Sequence, residues 1–150
     1  MPGPRIRRRA RASQSGAAAV EFGLVVLPLM LLLFGIIQYG FYFWSMQAGS
    51  AAVRDAAREA AVGNLTCSEL TTYVKARLDP SRDTSKAIAV ERDFIPDDAP
   101  TIGDTVRITV DFNSHYFGLV PVPDGAAVHQ SADSRVENVR AGSGADVPCP

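Results

Sequence analysis

One stretch limits what this chain can fold into. From residue 22 to residue 53 there is no acid or base apart from tyrosine. Its centre, residues 22–44, reads FGLVVLPLMLLLFGIIQYGFYFW, and Gln38 is the only strongly polar side chain there. Coiled as a helix at ~1.5 Å per residue, these residues extend about 34 Å, enough to cross a hydrocarbon layer of ~30 Å. The aromatic group Tyr39, Phe41, Tyr42, Phe43 and Trp44 lies at one end, where amphipathic rings settle at headgroup depth. A buried core helix of a soluble domain rarely needs so long an apolar run.

Charge gives the span a direction. The whole chain has 15 Lys+Arg against 16 Asp+Glu, a formal net charge of -1. Arg5, Arg7, Arg8, Arg9 and Arg11 precede the span with no acid among them, a local +5. The rest holds 10 basic and 16 acidic side chains, a net of -6. An acidic body argues against nucleic-acid binding. The basic arm marks the cytoplasmic side by the positive-inside rule, so the body is expected on the exported side. A secretory signal cut near Ala48, Gly49 and Ser50 fits poorly, since such apolar regions run ~7–15 residues. A plain single-pass anchor remains open.

Glu21 is the anomaly. A carboxylate at the edge of a lipid-spanning run is costly and suggests a function. It stands five residues after Gly16 in the string GAAAVEF. A cut after Gly16 removes the basic leader and exposes an α-amine on Ala17, one helical turn from Glu21. Amine and carboxylate then meet within a chain or between neighbours; snorkelling of Glu21 to the headgroups is the plainer alternative. Beyond Trp44 the helix is expected to run on, because residues 45–62 are alanine-rich and proline-free, with a stop at Gly63 and Asn64. From Ala17 to Val62 it spans about 69 Å at ~1.5 Å per residue. Pro28 removes one backbone bond and is expected to loosen or kink it. Ala48, Ala52, Ala56 and Ala60 form a small-residue stripe that lets another surface approach closely. Either the protein's own head or another subunit can fill that role.

The basic leader, Gly16, the small residues, Glu21 and Phe22, and then the apolar helix resemble the leader of type IV pilin-like precursors. The string GAAAVEFGLVVLPLMLLLFGIIQYG followed by AAVRDAAREAA is similar to the TadE-like family of minor pilins, or pseudopilins, of the tight-adherence (Flp) pilus system. Residues 131–137 resemble the closing strand of such proteins. The resemblance implies that a prepilin peptidase cuts between Gly16 and Ala17, and that Glu21 and Phe22 serve assembly. It also implies other pilins, the Tad assembly platform and the lipid bilayer as partners. No catalytic activity and no cofactor follow from it. The implied location is the bacterial cytoplasmic membrane, with later incorporation into an extracellular pilus. The alternatives are a stationary single-pass component of an export machine, or a membrane-anchored enzyme or solute-binding head.

The remainder reads as a small α+β head. Thr66 to Glu69 offer helix caps, and Leu70, Tyr73, Val74 and Leu78 keep helical spacing as far as Asp79 and Pro80. Strands are expected over 86–94, 105–112 and 127–136. The second is clearest, with Val106, Ile108, Val110 and Phe112 on one face. Residues 95–104 and 113–125 read as loops. The chain thus divides into a leader (1–16), a transmembrane and stalk helix (17–63), a head (64–140) and a small, mobile tail (141–150). The fold class is α+β: a long N-terminal transmembrane and stalk helix, then a head with a second helix and a short antiparallel sheet.

Cys67 and Cys149 fall on the exported side, where disulfides persist. A bridge would close a loop of roughly 80 residues, worth ~4–5 kcal/mol in the chain-entropy model. Free or intermolecular thiols are the alternative. No metal site is expected, since the His and Cys spacings match no ligand pattern. His129 and Asp133 would pair on a helix, but they fall in an expected strand. There is no phosphate-binding loop, nucleophile elbow or zinc-protease motif.

Overall fold

The computed structural model of the protein describes residues 11–63, 65–96, 100–139 and 149. The first element, α1, is one uninterrupted helix, Arg11–Val62, with Pro28 inside it. In the uncut chain the helix runs through Gly16 and Ala17, so the expected boundary between leader and mature helix is not a break in secondary structure. Small, unbranched Ala and Ser on both sides give helical backbone no reason to stop there. The rest of the basic leader, residues 1–10, lies outside the described residues. Helix α1 ends as expected before Gly63, whose N–H donates to the Glu59 carbonyl at 3.0 Å. The Ala61 carbonyl accepts from Glu137 N at 2.9 Å and Asn138 N at 3.2 Å. The segment after the last strand therefore closes the end of the long helix, supplying donors that its final turn lacks.

Helix α2 spans Cys67–Leu78 and begins with a reciprocal capping box. The Thr66 hydroxyl accepts from Glu69 N, and the Glu69 carboxylate accepts from Thr66 N at 2.9 Å. The Thr66 N–H and the Thr66 hydroxyl, both donating to the Glu69 carboxylate, hold it below the ordinary carboxylate range. Leu70, Val74 and Leu78 form its buried face. Three strands follow: β1 (Ala89–Ile95), β2 (Thr105–Asn113) and β3 (Ala127–Arg135). They make one antiparallel sheet in sequence order. Strand β1 starts three residues later than expected, and the expected 113–125 loop contains a 3-10 turn, Pro123–Ala126. Alternation in β2 puts Val106, Ile108, Val110 and Phe112 inward. On the outer face Arg107 faces Asp133 across the register and makes two 2.8 Å bonds to its carboxylate. That pairing lowers the Asp133 pKa and raises that of Arg107, each favouring its charged form.

The architecture is two layers. The C-terminal half of α1, together with α2, covers the inner face of the sheet, and the core lies between. Gly49 marks the tightest approach. A Cβ built there would lie 2.9 Å from Phe112 Cε1 and 3.0 Å from Gln130 Cγ. The Phe112 ring is buried at 3% exposure and has no free side to turn toward. Gly49→Ala gains up to ~1 kcal/mol in helix propensity but meets an overpacking cost of ~1–3 kcal/mol. The net expectation is a loss of about 1–2 kcal/mol, and Gly49→Leu should lose more. Thermal unfolding of both variants in detergent checks this; an alanine variant more stable than the parent contradicts the packing.

Candidate functional site

The long helix has two environments. From Gly16 to Phe34 no residue is buried. Val20 and Phe22 are each 70% exposed and Leu24 is 72% exposed, with Leu27, Leu29, Leu31 and Leu32 similarly open. No soluble surface keeps so continuous an apolar arm uncovered, so lipid or another apolar surface must enclose it. One candidate span is present among the described residues, within Gly16–Val62. Gly16, Ala17, Glu21 and Phe22 all lie on this arm, on one continuous helix, and all are exposed. A Cβ on Gly16 would meet nothing within 4 Å. The Glu21 carboxylate stands between Val20 and Phe22 on the same bare segment.

The stripe Ala48, Ala52, Ala56 and Ala60 lies in the other environment. Ala52, Ala56 and Ala60 are buried and Ala48 is partly buried in the core cluster. The protein's own head covers them, which decides between the two coverings open at the sequence level. Their small size serves the close packing of α1 on the sheet. Asp55 and Arg77 form an ion pair joining α1 to α2, with the Arg77 guanidinium 4.6 Å from the Tyr73 ring centre.

Between these zones sits a collar that sequence reasoning missed. Gln38 is only 1% exposed. Its Nε2 donates to the His115 carbonyl at 3.1 Å, and its Oε1 accepts from Phe117 N at 2.9 Å. The Tyr39 hydroxyl donates to the Pro121 carbonyl at 3.1 Å. Phe41 packs edge-on against the His115 and Phe117 rings at 6.1 and 5.8 Å. One turn on, Ser45 Oγ reaches the Phe41 carbonyl and Ser114 Oγ, both at 2.9 Å, and also the Ser81 carbonyl. The signal was in the sequence, as the lone strongly polar side chain of the apolar run. Its partners lie 77 and 79 residues away, beyond any local pattern.

Cys67 and Cys149 are joined as a disulfide, the internal pairing of the two that were open. Cys149 also bridges Arg92 of β1 in antiparallel fashion, so the bond fastens the C-terminal end to a sheet edge. Arg92 is buried, donates to the Leu65 carbonyl and places its Nη2 3.9 Å from Cys67 Sγ. The remainder of the tail, residues 140–148 and 150, lies outside the described residues. His129 is in strand β3, where its Nδ1 lies 2.5 Å from Asp111, while Asp133 is taken by Arg107. Among the described residues no three His, Cys, Asp or Glu side chains group as metal ligands.

The bare arm, the α1 side of the collar and the first turns of α1 that pack on the head form one contiguous piece of chain. Residues 16–58 match the family model described as TadE-like protein. This is the assignment that the leader, Gly16, Glu21 and the apolar run implied. The TadE-like segment contains the exposed arm, the collar residues Gln38, Tyr39 and Ser45, Gly49, and Ala48, Ala52 and Ala56 of the stripe. It stops before Ala60 and the head. The match relates the chain to Tad pilus proteins with an N-terminal apolar helix, a family of structural pilus components, and such a helix fits a single-pass membrane protein. No curated protein and no solved structure matches the chain.

Proposed function

We propose that this protein is a structural minor pilin, or pseudopilin, precursor of a Tad-type pilus. A prepilin peptidase cuts between Gly16 and Ala17, and the subunit assembles through its N-terminal helix into or beneath a helical filament. The observation that carries this reading is the bare arm, which holds a single acidic side chain, Glu21, while the rest of α1 is committed to the head. Lipid encloses the arm before assembly, and neighbouring arms replace lipid afterwards. Contacts of one subunit's arm with a different face of the next grow without closing. The arginine cluster keeps the N-terminus in the cytoplasm and the head outside. The head then has the oxidising surroundings that its disulfide requires.

The continuity of α1 through Gly16 sets a condition on the cut. A peptidase needs extended backbone, so the first turns must open before cleavage. Helix ends open at little cost, and glycine at the site lowers local helix stability by about 1 kcal/mol relative to alanine. Intact-mass and N-terminal analysis of the protein from its host tests the proposal. The expected mature chain begins at Ala17 and lacks the local +5, and Gly16→Leu accumulates as membrane-bound precursor. A functional protein that retains residues 1–16 overturns the reading in favour of a stationary single-pass component. A cut near Ser50 makes the arm a secretory signal.

A further inference from the structure

The collar loop has a surface that neither the core nor assembly through the arm uses. Residues 115–122 read HYFGLVPV, with no acid, lysine or arginine. Tyr116 is 43% exposed, Phe117 59% and Leu119 54%. The loop lies along α1, from Phe41, which touches His115 and Phe117, to Gly35, whose added Cβ would lie 3.8 Å from Val120 Cγ2. Six residues of helix separate those levels, so the loop reaches about 9 Å down the arm at ~1.5 Å per residue.

A membrane span started at either of two points on the arm would end at the same height. A hydrocarbon layer of ~30 Å takes up about 20 helical residues. Counted from Ala17 it ends near Ile36; counted from Phe22, just past the Glu21 carboxylate, it ends near Phe41. Both endpoints lie on the stretch of α1 that the loop flanks. Irregular backbone at such depth is tolerated where protein satisfies its polar groups. Gln38 satisfies the His115 carbonyl and the Phe117 N–H, and Tyr39 satisfies the Pro121 carbonyl. Pro121 and Pro123 have no N–H to satisfy. Phe41 links Trp44 of the helix to Phe117 of the loop, with ring centres 6.2 and 5.8 Å from its own, and an aromatic group of this kind is the composition of a membrane interface.

We propose that residues 115–122 are a membrane-seated wedge: the loop enters the acyl–headgroup boundary of the leaflet beside the head, with Phe117, Leu119 and Val120 among the acyl chains, and gives the head a second attachment to lipid. The occupant of this apolar face is the bilayer itself, because the loop is continuous with the span and level with its end. The proposal rests on α1 standing in a membrane and is independent of cleavage or filament assembly. A depth of ~5–10 Å is typical of interfacial elements, and the loop's reach along α1 falls within that range.

The test uses the full chain in phosphatidylcholine–phosphatidylglycerol vesicles. Trp44→Phe removes the only native tryptophan, and Phe117→Trp, Leu119→Trp, Leu24→Trp and Ile102→Trp are each placed in that background. Lipids brominated along the acyl chain should quench Trp at 24, 117 and 119 strongly and spare Trp at 102, on the β1–β2 connection. Trp emission at 117 and 119 should be blue-shifted and shielded from aqueous iodide. Two loop positions guard against one variant disturbing the fold. Quenching at 24 without quenching at 117 and 119 overturns the wedge and leaves the membrane span standing. No quenching at any position overturns both. A blue shift at 117 that bromolipid does not quench, and that fades as the protein is diluted in lipid, assigns the loop to a second copy of the chain and likewise overturns the wedge.

Discussion

Replacing Cys67 and Cys149 together by serine is expected to destabilise the folded head by ~4–5 kcal/mol, through the loop-closure entropy returned to the unfolded chain. The bond joins residues 82 apart in sequence, so it closes a loop that takes in nearly all of the chain beyond α1. Domains of this size have ~5–15 kcal/mol in total, so the loss removes a large share of what holds the head folded. At ~4–8 °C per kcal/mol for a small domain, the unfolding midpoint should fall by roughly 16–40 °C. Packing adds to the effect. Cys67 opens α2, and Cys149 lies against β1 beside the buried Arg92, whose guanidinium reaches the Leu65 carbonyl. Without the bond both the sheet edge and the α1–α2 connection lose a fastening. Circular dichroism of the double variant in detergent, alongside the parent with and without reductant, gives the measurement. Non-reducing peptide mapping of the exported protein should recover the two cysteine peptides linked. Quantitative thiol labelling of unreduced protein, or a midpoint that moves only a few degrees, shows that the bond does not hold the head.

How far the fold could be read follows from where its information lies. Local patterns were sufficient for α1, for the capping box at Thr66 and for β2, because helix spacing, caps and two-residue alternation each act within a few positions. The alanine stripe was visible, but its covering was not: Ala52, Ala56 and Ala60 present the same small surface to a foreign helix as to their own sheet. The extension of α1 through Gly16 in the uncut chain had no local signal, because a processing site need not coincide with a helix end. The collar lay furthest out of reach. Residues 113–125 have the glycine and proline content of an ordinary loop, and only the tertiary fold brings them to Gln38, Tyr39 and Ser45. An uncharged polar residue inside an apolar span was the one sequence-level sign that something other than lipid meets the helix there.

Glu21→Gln is expected to leave the subunit folded and inserted yet largely unable to assemble. The first buried residue of α1 beyond Glu21 is Gln38, seventeen residues along the same helix, about 26 Å at ~1.5 Å per residue. The head should therefore unfold at the parent's temperature, and insertion should be normal because the substitution removes a charge from the edge of the span. Cleavage should be close to normal, since Gly16 and Ala17 are untouched. Assembly is different. On the proposed reading, packing arms together withdraws the Glu21 carboxylate and the new α-amine of Ala17 from headgroups and water, and each then requires the other. Removing one partner of a buried ion pair costs ~3–5 kcal/mol, because the remaining charge stays buried without compensation. At ~1.36 kcal/mol per factor of ten, incorporation should fall by roughly a hundredfold to several thousandfold. Glu21→Asp keeps the charge on a shorter stem and should restore part of it, which a purely steric role would not allow. The measurement is the amount of each variant in sheared pili relative to the membrane pool, with intact mass confirming processing. Wild-type incorporation of the glutamine variant removes the ion pair from the mechanism and leaves Glu21 as a side chain that only reaches up to the headgroups.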